Sequence, residues 1–361
     1  MRLRMRTYVE PATDEFSLPL GSHQGMPSAT EAQIVRAATA GDRAAFTQLV
    51  ERHRSELQVH AYRMLGSLED AQDALQEAFL RAWTGRATYR GESTFRAWLY
   101  RITTNACLRT LERRPRRVVP YEAGPAAALG AHPAPPADVP WLQPYPDLLL
   151  DESPEPGDAV VARETIELAF LAAIQHLPPR QRAVLILRDA LDWPAEDTAA
   201  VLDMSVAAVN SALQRARSTM AGRLPAARLE WTTAADAEDA ERSLLHSYVE
   251  AFERHDDRQL VALLREDVRL AMPPHPTWYE GRETIAAFLA EVGFRPGSEP
   301  HRFVPTRANR QPAFGVYRGE GANARPFAIN VIRIESGLIV DMHFFKYPEL
   351  FPAFGLPATL G

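Results

Sequence analysis

The chain has 361 residues, 46% of them hydrophobic and 24% charged, with a formal net charge of −6. That length suits about two or three domains with sizeable cores. No stretch approaches the roughly eighteen apolar residues that a membrane helix needs, and the single cysteine, Cys107, excludes an intramolecular disulfide and a cysteine-based zinc cluster. The negative charge argues against wholesale coating of nucleic acid. The opening MRLRMRTYVEPATDEF has no apolar stretch and does not read as a secretory signal. A cytoplasmic protein with no membrane partner is the expectation.

Residues 1–30 are polar, with scattered proline and glycine, and read as a disordered tail in which Met26 competes with Met1 as the true start. Residues 31–114 read as all-α. Asp42 is placed to cap a helix running to about Met64. Gly66-Ser67 breaks it, a second helix spans Leu68 to Trp83, and a third starts near Thr94 and stops before Pro115. The second, DAQDALQEAFLRAW, sets Asp70, Asp73 and Glu77 along one face and Leu75, Ala78, Phe79 and Ala82 along the other. A solvated face is the ordinary reading of such carboxylates. Between Arg81 and Arg117 ten arginines stand against two acids, with Tyr89, Phe95, Trp98 and Tyr100 among them. Aromatics that stack bases and arginines that hold a backbone suit single-stranded nucleic acid, while Phe95, Trp98, Leu99 and Ile102 are equally well spaced for a helix core.

Residues 115–158 hold eleven of the 29 prolines and read as a linker. Within it, PWLQPYPDLLLDE is too apolar for a spacer, and Trp141, Tyr145 and Leu148 to Leu150 are expected to dock. Residues 159–225 are again all-α, with helices over 160–177 and 179–191. PAEDTAAVLDM and SVAAVNSALQRARSTM then follow, joined by a short turn in the layout of a helix-turn-helix. Ser205 is the cap of its second helix. Ala207, Ala208, Asn210, Ser211 and Gln214 fall outward, with short or amide side chains suited to base edges, and Arg215 and Arg217 suit phosphates. The competing reading is an ordinary helical hairpin.

Residues 240–355 pass from helices to alternating strands, an α+β pattern. His275, His301, Asp341 and His343 are the acid/base candidates. Trp278, Tyr279, Phe303, Phe327 and Phe344 are candidate walls of an apolar cavity, with His275, Trp278, Asp341 and His343 as its expected pocket, and the competing reading is that the histidines are solvent-facing strand residues and the aromatics are core. No motif pairs a nucleophile with a base, so no catalytic residue, metal or cofactor is expected.

DAQDALQEAFLRAW, FRAWLYRITTNACLRTLERRPRR and LPPRQRAVLILRDALDWPAEDTAAVLDMSVAAVNSALQRARS, in that order, resemble regions 2 and 4 of the sigma-70 family, extracytoplasmic-function (ECF) type, over roughly residues 40 to 222. With the WLQPYPD linker and a SnoaL-like (NTF2-like) C-terminal domain, the chain resembles the actinobacterial sigma-G subgroup. The resemblance implies a multidomain protein. Two all-α sigma domains, a region 2 helical bundle (31–114) and a region 4 helix-turn-helix (159–225), precede an α+β cone (240–355). It implies that Asp70, Asp73, Gln76 and Glu77 face the β′ clamp helices of core RNA polymerase, and that region 4 meets the β flap. Arg86, Tyr89, Arg90, Phe95, Arg96, Trp98, Tyr100, Arg101, Asn105 and Arg109 would open and hold the minus-10 element. Ser205, Ala207, Ala208, Asn210, Ser211, Gln214, Arg215 and Arg217 would read the minus-35 element. The linker would thread the polymerase RNA channel. The C-terminal domain would modulate activity and could take a small-molecule ligand, with Tyr347, Phe351 and Phe354 of FKYPELFPAFGLP as contact anchors. Asn210 and Ala207-Ala208 depart from residues common in the family, which leaves the promoter sequence open. Two rival readings are an operator-binding regulator with a sensing domain, and a SnoaL-like isomerase or hydrolase with a DNA-binding appendage.

Overall fold

A computed structural model describes residues 29–91, 93–131, 134–136, 138–150, 166–223, 235–294 and 297–360. The expected tail lies almost wholly outside the described residues, as does the end of the linker after residue 150. The first unit is a bundle of α1 (Ala29–Ala40), α2 (Arg43–Leu65), α3 (Leu68–Gly85) and α4 (Phe95–Arg113). Three of these helices begin at a residue whose side chain caps the first turn: Asp42 accepts from the Ala45 amide, Ser67 from Asp70 and Thr94 from Ala97. Gly66 ends α2 at φ 68°, and a Cβ there would sit 2.8 Å from Leu142 Cδ1, so this corner needs glycine for both conformation and space.

The second helical unit comprises α5 (Leu168–Ile174), α6 (Pro179–Leu185) continuing into a π turn over Ile186–Ala190, α7 (Ala195–Leu202) and α8 (Val206–Ala221). The helix expected over 160–177 starts only at Leu168 within the described residues: Glu167 is extended, with ψ 146°, and the Ile166 carbonyl accepts from Asn309, described below. Asp203, at φ 52°, closes α7 in the left-handed region, and Ser205 caps α8 by accepting from Ala208.

The C-terminal unit has α9 (Ala235–Arg254), α10 (Asp257–Leu263), β1 (Leu264–Ala271), β2 (Trp278–Glu280), α11 (Arg282–Val292), β3 (His301–Ala308), β4 (Gln311–Arg318), β5 (Arg325–Glu335) and β6 (Leu338–Phe345), then a 3₁₀ segment, Pro348–Phe354. The sheet order is β2-β1-β6-β5-β4-β3, antiparallel except for the β1/β6 pair. Successive side chains point to opposite faces. Phe314, Val316, Met342 and Phe344 therefore enter a core inside the cone with Tyr248, Phe252 and Phe288. Ala313, Tyr317 and Phe345 point the other way. This outer face joins Phe351, Phe354 and Leu356 in a hydrophobic cluster that runs on without a break through both helical units. Gly315 lies on it, and a Cβ there would stand 2.5 Å from Leu356 Cδ1, so any larger residue would have to displace the Leu356 side chain from its seat.

The WLQPYPD segment is the mortar between the three units. Residues 141–146 are all buried. Gln143 donates its amide to Gly66 O (3.0 Å), accepts from Ser67 Oγ (2.7 Å) and the Leu68 amide (3.1 Å) at Oε1, and accepts from Tyr62 Oη at its carbonyl (2.7 Å). Tyr145 packs on Tyr62 at 4.6 Å between ring centroids. Both β3 and β4 point their shared hairpin at this spot. Its two-residue turn, Asn309-Arg310, has φ values of 57° and 59°, the type I′ geometry that suits the twist of a tight hairpin. Asn309 is fully buried. Its Nδ2 donates to Tyr62 Oη (2.9 Å) and to Ile166 O (2.8 Å), its Oδ1 accepts from the Tyr145 amide (2.9 Å), and its own amide donates to Tyr145 O (2.9 Å). Gln311 Oε1 accepts from the Leu168 amide at 3.2 Å, which fills the place of a helix cap for α5.

Candidate functional site

On α3 the acidic residues divide. Asp70 is buried, and its two oxygens accept from Arg114 and Arg117, so it ties α3 to the chain after α4 and is not presented outward as expected. Asp73 and Gln76 are exposed, and Glu77 is half-buried, paired with Arg81 at 2.6 Å and Arg109 at 3.5 Å. Glu69, Gln72 and Leu80 complete the outward stripe, with Leu80 67% exposed. The sequence reading missed these three. The i, i+3, i+4, i+7, i+11 spacing of 69, 72, 73, 76 and 80 is the signal that marks them.

The aromatic and arginine set also divides. Phe95 is core, within ring contact of Phe46, Tyr89 and Trp98, and is not presented for base stacking. Tyr100 is fully buried against His60 and against Trp193 of the second helical unit, at 5.1 Å and 4.8 Å between centroids. Arg96 donates to Glu56, at 2.5 to 3.1 Å, and lies over the Tyr100 and Trp193 rings. Burial alone would raise the Glu56 carboxyl, but the hydrogen bonds from His53 and Arg96 outweigh it and hold the carboxyl at about 2. Arg86 is half-buried, stacked on Trp83 and donating to the Trp83 carbonyl, and Arg109 is half-buried beside Glu77. Tyr89 and Trp98 are half-buried, while Arg90, Arg101 and Asn105 are exposed. The second unit thus covers part of this surface. Arg182 fixes it there: buried, it donates to Met64 O at the end of α2, to Gln175 Oε1 (2.7 Å) and to Gln175 O (2.8 Å).

The outward face of α8 is open. Ser205, Ala207, Asn210, Ser211, Gln214, Arg215 and Arg217 are exposed and Ala208 half-exposed. Arg217 meets Asp189 through Nε (2.9 Å) and Nη2 (2.7 Å). Behind this face Ala199, Val201 and Leu202 of α7 and Val209, Ala212, Leu213 and Ala216 of α8 are buried, as a helix-turn-helix requires, whereas Ala200 and Val206 are exposed.

In the C-terminal unit the expected pocket splits across the sheet. A cavity of about 260 Å³ lies inside the cone, and His275, His301, Phe303, Phe327 and Phe344 line it. Trp278, Asp341 and His343 do not. Strand alternation puts Asp341 and His343 on the outer face, where Asp341 accepts from Arg269 (2.8 Å) and Arg333 (2.6 Å). Burial works to raise its carboxyl, and the two arginines outweigh that and lower it. Burial pushes His343 down to about 4 against the pull of Asp341. This outer cluster grips the linker. Tyr121 lies under Arg269, 4.4 Å from the guanidinium to the ring centroid, and contacts the Trp278 and His343 rings. Trp278 Nε1 donates to Gly124 O at 2.9 Å. Asp341 and His343 are therefore structural on this face and do not serve as an acid/base pair in the cavity.

The chain matches the Sigma-70 region 2 family over residues 49–117, the Sigma-70 region 4 family over 167–220 and the SnoaL-like domain family over 245–342. It is 40% identical over 320 residues to the ECF RNA polymerase sigma factor SigG of Mycobacterium tuberculosis, spanning 87% of this chain and 85% of that protein. The chain belongs to the ECF sigma factors. With SigM of the same organism this sigma factor shares 34% identity over 198 residues, 55% of its own length and 86% of that protein's. The crystal structure of M. tuberculosis SigJ superposes with a TM-score of 0.54 at 22% identity, covering 87% of this chain and all of that one, and so shares the fold. As an ECF sigma factor it binds RNA polymerase and promoter DNA to direct transcription initiation, and it carries a SnoaL-like domain at its C-terminus. Among the described residues no helix is long and apolar enough to cross a membrane.

Proposed function

We propose that this sigma factor is held closed by its own SnoaL-like domain, and that opening frees it for core polymerase and promoter. The carrying observation is the Asn309-Arg310 hairpin tip, which hydrogen-bonds region 2 through Tyr62, the linker through Tyr145 and the start of region 4 through Ile166. A single turn thereby fixes region 4 over region 2, with Tyr100 and Arg96 covered by Trp193.

In the open form the stripe of Glu69, Asp73, Gln76 and Leu80 meets the β′ clamp helices. Its carboxylates steer and fix register against basic partners, and Leu80 supplies the apolar contact. Tyr89, Arg90, Trp98, Arg101 and Asn105 hold the minus-10 strand, joined by Arg96 once region 4 swings away. Asn210, Ser211 and Gln214 read minus-35 base edges, with Arg215 and Arg217 on phosphates, while region 4 meets the β flap. The WLQPYPD segment leaves its socket to enter the RNA channel, so polymerase binding and hairpin release are coupled.

The test is promoter-dependent run-off transcription with core polymerase, comparing the full chain with one ended at residue 230. The shorter chain is expected to initiate several-fold faster at limiting polymerase. Equal or slower initiation overturns the closed-form reading.

A further inference from the structure

The cavity inside the cone lies at the sheet end where β3 begins and β4 and β6 finish. Three donors converge on its wall. Arg318, the last residue of β4, shares the inward parity of Phe314 and Val316. Lys346, the only lysine in the chain, follows β6 directly. His301 opens β3, opposite Arg318 in the sheet register. All three line the cavity, and its other walls are apolar apart from His275 and Thr277.

These donors have little to satisfy them. Neither Arg318 nor Lys346 makes an ion pair among the described residues, and no Asp or Glu lines the cavity. Glu299, the carboxylate whose charge Arg318 feels, is held by both its oxygens on Arg325, at 3.0 and 3.1 Å. Arg318 and Lys346 lie instead on the Phe327 ring, 3.8 Å and 5.3 Å from its centroid. Arg318 Nε donates to His301 Nε2 at 3.2 Å. The neutral ring then carries its proton on Nδ1, and that nitrogen is buried with no partner among the described residues. Two half-buried cations and one orphaned donor thus stand at one end of an apolar cavity with no acid, an arrangement that suits an anionic head on an apolar body.

We propose that this cavity binds an amphipathic monocarboxylate whose apolar body has roughly ten carbons, since a cavity of about 150 Å³ already holds a benzene. The carboxylate lies between Arg318, Lys346 and His301, and the tail runs in among Phe303, Leu289 and Phe344. Ala134 of the linker forms part of the wall, so an occupant touches the segment that joins the two sigma regions. The assignment concerns binding alone and stands or falls separately from promoter control.

Calorimetric titration of the full chain with decanoate, decanol and acetate tests it. Decanoate is expected to bind about tenfold or more tighter than decanol, the return on one or two charge-assisted hydrogen bonds, and acetate not at all. Arg318→Gln and Lys346→Met should each weaken decanoate about tenfold and decanol less than twofold. Decanoate should also shield Lys346, as the one side-chain amine, from acetylation followed by mass spectrometry. Equal binding of decanoate and decanol, acetate binding as well as decanoate, or no decanoate binding each overturns the proposal. Those comparisons use the unmodified chain, so a variant that fails to fold leaves the answer intact.

Discussion

Replacing Asn309 with glycine isolates the closing contact. Glycine adopts φ near +57° without cost and keeps the backbone bond to Tyr145 O, so only the three side-chain bonds are lost. Tyr62 Oη still donates to Gln143 O, but the Tyr145 amide and the Ile166 carbonyl are left buried and unpaired. Each such group costs about 1–3 kcal/mol. Water entering the vacated space returns part of that, so docking should weaken by roughly 2–4 kcal/mol, about 30- to 1,000-fold in the closed-to-open ratio. Alanine removes the same bonds and adds about 1–2 kcal/mol for a Cβ in the left-handed region. The assay is hydrogen exchange at the Tyr145 and Leu168 amides, which pair with Asn309 and Gln311. Their protection should fall in the order wild type, glycine, alanine, while the β4–β5 amides inside the sheet stay protected. Unchanged protection at Tyr145, or equal loss throughout the sheet, would refute the idea that the tip is a dock and not part of the domain's own fold.

Asp73→Arg should abolish capture of core polymerase without moving the unfolding midpoint. Asp70→Asn should instead cost stability, about 3 kcal/mol by urea unfolding, because it strands Arg117 in a largely buried site. Arg182→Met leaves the Met64 and Gln175 carbonyls unpaired and should cost about 2–4 kcal/mol, with faster proteolysis between regions 2 and 4. Acid should destabilise the fold before it titrates the carboxylates. Burial holds His60 at about 3 and His301 and His343 at about 4, below their ordinary 6.5. The unfolded chain therefore binds more protons as pH falls through 6.5. Each histidine costs roughly 1.4 kcal/mol per pH unit between about pH 6 and 4. Denaturant midpoints measured from pH 7 to 5 should fall accordingly, and a flat profile would show the three rings to be exposed.

The helices were legible because their signals are local. Asp42, Ser67, Thr94 and Ser205 are caps readable from one turn of chain, and Gly66 is a stop readable from its neighbours. The docking role of WLQPYPD was legible from its apolar content, though not its partner, since Gln143 and Tyr145 are satisfied by residues far away in sequence. The same distance hid the hairpin. HRFVPTRANRQ reads as one strand, because Asn-Arg is a weak turn signal beside Asn-Gly and the turn is held by Tyr62 and Ile166 from other units. Asp341 and His343 were expected in the pocket with His275 and Trp278, but they lie on the other face of the sheet. Strand alternation fixes that they share a side, and only the packing of Tyr121 tells which side it is. The cavity's own cations, Arg318 and Lys346, carried no motif. They sit at strand ends on different strands, and nothing short of the folded sheet brings them together.

The uninterrupted core that welds the outer sheet face to both sigma regions has a consequence in time. Every residue of regions 2 and 4 precedes residue 224, whereas the hairpin, the sheet and the Phe351, Phe354 and Leu356 anchors all follow it. At about 5–20 residues per second the ribosome needs roughly 7–28 s to add the rest. For that interval a nascent chain owns a complete promoter reader and no clasp. On the closed form proposed above, a newborn molecule that meets polymerase first would escape a state that an older molecule must break out of, and output would follow the rate of synthesis more closely than the amount accumulated.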